Sequence, residues 1–79
     1  MNESEIVSLA GVVLAGIAPE ADLATVGMDE DLREALDLDS MDVLNFIVGL
    51  GQRSGVAIAE ADYPKVFTLA GLVRYLEQR

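Results

Sequence analysis

Apolar residues recur at helical spacing in three parts of this chain, separated by stretches where that period is lost. Ile6, Leu9, Val13 and Ile17 share one face, with Ala10 and Leu14 beside them, which predicts a first helix over 2–18. Asn2 with Glu5 three residues later has the form of a capping box, and Pro19 stops the helix. Gly11 and Gly16 each cost about 1 kcal/mol against alanine, so this helix depends on tertiary packing. A second helix is expected from Ser40 to about residue 53. Leu44, Ile47, Val48 and Gly51 define one stripe, and Met41, Phe46 and Leu50 widen the apolar surface, so that part of this helix is expected to meet partners as well as the core. Gly49 and Gly51 weaken its last turn, and Ser54-Gly55 ends it. Thr68 caps a last helix over 69–77, with Leu69, Leu72, Val73 and Leu76 inward.

The stretches between are less regular. Pro19 to Leu38 has no sustained period, and a bare loop of about 20 residues is unusual inside a compact domain. Leu23, Val26, Met28, Leu32, Leu36 and Leu38 are expected to pin it to the core, with a helical turn or two within 29–35. A short third helix is expected from Ala59 to Tyr63, curtailed by Pro64. The architecture is therefore all-α: a small four-helix bundle with a long loop between its first two helices and a short third helix.

Composition narrows the chemistry. Residues 1–79 are expected to form a single domain, and 52% apolar residues predict folding despite a net charge of −9. The absence of Cys and His excludes disulfides, thiolate metal sites and imidazole catalysis from the chain's own residues. No apolar run approaches the ~18 residues of a membrane span, and Glu3 and Glu5 are foreign to a signal peptide. The expectation is a cytoplasmic monomer. Seven of the fourteen acids fall within 29–42, with Arg33 the only base among them. Nucleic acid is thus an unsuitable partner, whereas a basic protein surface would be steered to this region.

At its centre lies Leu36-Asp37-Leu38-Asp39-Ser40-Met41-Asp42-Val43-Leu44, three carboxylates around one serine at a helix start. Three enzymatic or metal readings fail. As a calcium loop the stretch lacks ligands at positions five and twelve and the turn glycine. As an Asp-x-Asp phosphatase it lacks the preceding strand and the length of an α/β domain. As a glycosidase carboxylate pair it lacks room for a cleft. The chain is not expected to be an enzyme.

Asp39-Ser40-Met41, the amphipathic helix after it and the downstream run Val56-Ala57-Ile58-Ala59-Glu60-Ala61-Asp62 resemble the acyl carrier proteins over about Ile6 to Leu76. The resemblance implies that Ser40 carries a covalent phosphopantetheine arm, added by a phosphopantetheinyl transferase. It implies an acyl chain held as a thioester and acyl-handling partner enzymes with basic surface patches. Asp37, Asp39, Met41, Asp42 and Val43 are then candidates for partner recognition. Leu44, Phe46, Ile47, Ile58 and Leu72 are candidate walls for the acyl chain, although for Leu44, Ile47 and Leu72 residue type and spacing fit core packing equally well. Fatty-acid carriers continue past the serine with several acids, whereas here only Asn45, Gln52 and Arg53 are polar after Asp42. The pathways open to such a carrier are fatty-acid, specialised lipid or polyketide, and that difference favours a specialised lipid or polyketide pathway over bulk fatty-acid synthesis. The competing reading is an acidic helical interaction module in which Ser40 is only an N-cap and the apolar second helix docks a partner.

Overall fold

A computed structural model of the chain describes residues 1–78. Among them there are four α-helices: α1 (Glu3–Ala15), α2 (Leu32–Ala35), α3 (Ser40–Ser54) and α4 (Leu69–Glu77). Two 3-10 segments, Leu23–Thr25 and Glu60–Val66, complete the regular structure. The described residues are all helical or irregular, as the hydrophobic spacing predicts.

Local signals set most boundaries. Asn2 Oδ1 accepts from the Glu5 N–H at 2.8 Å while Glu5 Oε1 accepts from the Asn2 N–H at 3.0 Å, the expected box at the start of α1. The helix ends at Ala15, three residues earlier than its spacing suggests. The residue before Pro19 is disfavoured in helical conformation, so Gly16, Ile17 and Ala18 close the helix through bonds to Val13 and Leu14 carbonyls. Thr68 Oγ1 caps α4 by accepting from the Gly71 N–H, 3.0 Å away.

One apolar cluster joins the long helices. Ile6, Ala10, Val13 and Leu14 of α1 meet Phe46, Ile47 and Leu50 of α3 and Leu69, Leu72, Val73, Tyr75 and Leu76 of α4. α1 packs against both α3 and α4. The α1–α3 approach is close: a Cβ on Gly49 would lie 2.6 Å from Val13 Cγ1. No polar or charged residue is buried among the described residues.

The long connection is pinned by backbone as much as by side chains. Leu32 is buried, and Leu23, Val26, Leu36 and Leu38 are partly buried against the core, whereas Met28 is exposed. Met28 instead anchors through its carbonyl, which accepts from the Ala70 N–H at 2.9 Å. The Leu32 N–H donates to the Phe67 carbonyl at 2.8 Å, and the Arg33 guanidinium lies 4.0 Å from the Phe67 ring centroid. The expected turn or two within 29–35 is the single turn α2.

The third helix differs from expectation. Rather than stopping at Pro64, a 3-10 segment runs from Glu60 to Val66 with Pro64 inside it. A tertiary contact and a local pair hold this irregular segment: Asp62 accepts from the Tyr75 hydroxyl of α4 at 2.8 Å and pairs with Lys65 Nζ, three residues on, at 3.1 Å. Tyr75, absent from the expected inward set of α4, is thereby buried with its oxygen satisfied.

Candidate functional site

The start of α3 is built from two consecutive turn devices. At the end of α2 the Leu38 N–H donates to the Arg33 carbonyl at 2.9 Å and the Asp37 N–H to the Glu34 carbonyl at 3.3 Å. This is the Schellman pattern, and it requires a left-handed residue at the position Asp37 occupies, with φ 53°. Glycine usually fills that role; aspartate is among the few other residues that accept it. Only two residues then separate Asp37 from α3.

The second device is a reciprocal cap. The Asp42 N–H donates to Asp39 Oδ1 at 2.8 Å, and the Asp39 N–H donates to Asp42 Oδ2 at 3.4 Å. Asp39, not Ser40, is therefore the N-cap, which corrects the reading of Ser40 as a cap. Ser40 occupies the first helical position, exposed, with its hydroxyl outside the capping bonds. Asp37 and Asp39 are exposed beside it and Asp42 is half-buried. The one nearby base is occupied: Arg33 grips Asp31 through Nε at 3.0 Å and a second bond from Nη2 at 2.6 Å. That hydrogen bonding, reinforced by the charge of Arg33, holds the Asp31 carboxyl below its ordinary pKa. The acids at the α3 end thus leave a locally negative surface for a basic visitor.

The remaining sequence-derived positions separate. Met41 is 62% exposed and Val43 half-buried. Phe46 and Leu72 are buried in the core, whereas Leu44 is 42% exposed. Ile47 and Ile58 do come together, lining a groove of about 390 Å³ between α3 and the segment after it. Val48 and Gly51 of the α3 stripe line it too, together with Val56, Ala57 and Tyr63, which hydrophobic spacing alone did not select. The signal for them is the small residues: Gly51, Gly55 and Ala57 leave space beside a helix end. The left-handed Gly55, φ 75°, turns the chain back to form the far wall.

A larger cleft of about 550 Å³, lined by Asp29, Lys65, Thr68 and Arg74 among others, includes no residue of α3. Its polar groups are in part already engaged, since Lys65 pairs with Asp62 and Thr68 caps α4. The exposed hydroxyl and the apolar groove both belong to α3, about seven residues or 10 Å apart along its axis.

Ser40 fits attachment of a phosphodiester-linked group. Its oxygen is exposed, is not consumed by capping, and lies at the positive end of a helix of 15 residues. The neighbouring carboxylates oppose added negative charge, but their exposure to solvent screens that repulsion.

Comparison with known proteins agrees with this geometry. The profile of the family described as "Phosphopantetheine attachment site" matches residues 4–76. An acyl carrier protein of Renibacterium salmoninarum is 30% identical over 77 residues, covering 95% of this chain and 90% of its own length. An acyl carrier protein of Campylobacter hominis is 30% identical over 61 residues, 77% of this chain and 72% of its own. Four-fifths or more of the chain, including the Ser40 turn and both walls of the groove, lies within the matched span, and the chain belongs to the phosphopantetheine-bearing acyl carrier protein family.

Proposed function

We propose that Ser40 is the attachment residue and that the chain presents a thioester-linked acyl group to the enzymes of a dedicated lipid or polyketide pathway. The observation that carries the assignment is an exposed serine at the first position of α3 whose capping duty is performed by Asp39. Ser40 Oγ attacks the pantetheine-bearing phosphorus of the coenzyme A pyrophosphate and forms a phosphodiester. The P–O–P bond breaks, 3′,5′-adenosine bisphosphate leaves, and the serine proton passes to a base on the transferase. The attached group supplies a flexible arm with a terminal thiol. Asp39 and α3 hold the serine on a rigid support, and the exposed Asp37 and Asp39 steer a basic partner toward it. Ile47, Ile58 and Val56 in the groove shelter apolar cargo from water. In this role the chain carries substrate and leaves the chemistry to its partners.

A dedicated pathway is favoured by α3 itself, which has no carboxylate after Asp42. A cytoplasmic setting accords with the absence, among the described residues, of any helix long and apolar enough to cross a membrane. The test is direct. Incubation with coenzyme A, magnesium and a broad-specificity phosphopantetheinyl transferase should add the mass of one arm, mapped to Ser40, with no gain in Ser40→Ala. Modification at Ser4, Ser8 or Ser54, or none with several transferases, overturns the assignment.

A further inference from the structure

On the carrier reading, we propose that the acyl chain carried here is oxygenated, with a hydroxyl or keto oxygen along its length that bonds the hydroxyl of Tyr63. Tyr63 is then the residue that sets cargo specificity. Among the residues lining the groove beside α3, only Gln52 and Tyr63 have polar side chains. Tyr63 is half-buried and packed against the core. Among the described residues its hydroxyl makes no hydrogen bond. A phenol removed this far from water ordinarily finds a partner. The other tyrosine shows the contrast, since buried Tyr75 donates to Asp62 at 2.8 Å. Asp62, although next to Tyr63 in sequence, is taken by that bond and by Lys65.

The chemistry of the occupant follows from these walls. The core behind the groove is full, with Phe46, Leu50 and Leu72 only 3%, 0% and 0% exposed. A cargo therefore lies along the groove, against Tyr63, and does not sink into the bundle. Gly51 keeps the floor low, since a Cβ there would lie 3.1 Å from the Val56 carbonyl. A plain alkyl chain would displace water from the Tyr63 hydroxyl and offer nothing in return. That imbalance is how a site with a polar group rejects a ligand lacking the matching one. An oxygen on the chain restores the bond, while methylenes on either side keep the apolar walls covered. Gln52, exposed on the rim, supplies a second donor to the same oxygen. A charged group on the chain is disfavoured, because no charged side chain lines the groove to pair with it.

The test loads the full chain from octanoyl-, β-hydroxyoctanoyl- and δ-hydroxyoctanoyl-coenzyme A with a broad-specificity transferase. Mass spectrometry confirms each acyl arm on Ser40. NMR amide shifts of Gly51, Ala57 and Ile58, taken relative to the chain bearing the arm alone, then report how far each cargo occupies the groove. The better of the two hydroxylated chains should show a ratio of groove-bound to solvent-exposed cargo about tenfold above that of octanoyl. Tyr63→Phe keeps the ring and should erase that difference, with octanoyl seated no worse than before. Circular dichroism checks that the variant keeps its helices, and the comparison of cargoes on the native chain stands without it. Equal occupancy by all three chains overturns the proposal, as does a preference that survives Tyr63→Phe. No amide movement with any cargo also overturns it, while leaving Ser40 as the attachment residue. Absence of the arm on Ser40, seen by mass before any cargo is compared, overturns the carrier reading and the proposal with it.

Discussion

Asp39 and Asp42 cap each other across the first turn of α3, with bonds of 2.8 and 3.4 Å, and Ser40 sits between them. The unequal lengths have a simple cause. A capping box normally uses the longer Glu or Gln at its second position, and aspartate reaches back less well. Asp39→Ala should therefore lower stability by about 1 kcal/mol, and Asp39→Ser should keep most of it. Ser40→Ala, which removes no cap, should change stability by less than about 0.5 kcal/mol. Urea unfolding of the three variants checks this, and a large loss in Ser40→Ala would mean that its hydroxyl supports the turn after all.

Gly49 lets α1 and α3 close on each other. Gly49→Ala improves intrinsic helix propensity by about 1 kcal/mol, yet its Cβ would meet Val13 Cγ1 at 2.6 Å. The packing cost, about 1–3 kcal/mol, should win and lower the melting temperature. Adding Val13→Ala should recover part of the loss, with a coupling of about 0.5–3 kcal/mol in a double-mutant cycle. Gly71→Ala should be harder to rescue, because its Cβ runs into the Lys65 backbone carbonyl rather than a side chain.

Arg33 makes stability depend on pH at the acid end. The Asp31 carboxyl has a lowered pKa in the folded chain, first through its hydrogen bond to Arg33. A lowered folded-state pKa contributes stability that is complete above the unfolded value and disappears as pH falls through the folded value. Arg33→Gln should raise the Asp31 pKa, followed by NMR titration, and flatten the acid limb of the stability curve over that window. It also removes the cation over Phe67, so Phe67→Leu serves to separate the two effects.

Seven acids within 29–42 face one base that is already paired. Their mutual repulsion should weaken the fold at neutral pH, and modest salt or millimolar divalent cations should raise the melting temperature. A melting temperature indifferent to both would show that the repulsion is already relieved within the fold.

What the chain alone determined is whatever depends on neighbours a few residues away. The Asn2–Glu5 box, the Thr68 cap, the glycine stop at Gly55 and the inward stripe of α4 are short-range chemistry, legible from spacing. The place of Ser40 at a helix start is legible for the same reason. Tertiary structure decided the rest. α3 is apolar on nearly every side, so periodicity does not choose between faces; packing against α1 buried Phe46, Ile47 and Leu50 and left Leu44 and Val48 outside. Continuation of the third helical segment through Pro64 accompanies a long-range bond, Tyr75 to Asp62. The groove exists only because Gly55 turns the chain back along α3, bringing Ile58 to Ile47. Local hydrogen bonds and caps are encoded where they act, whereas the choice of buried face is made by whichever arrangement removes most apolar surface from water.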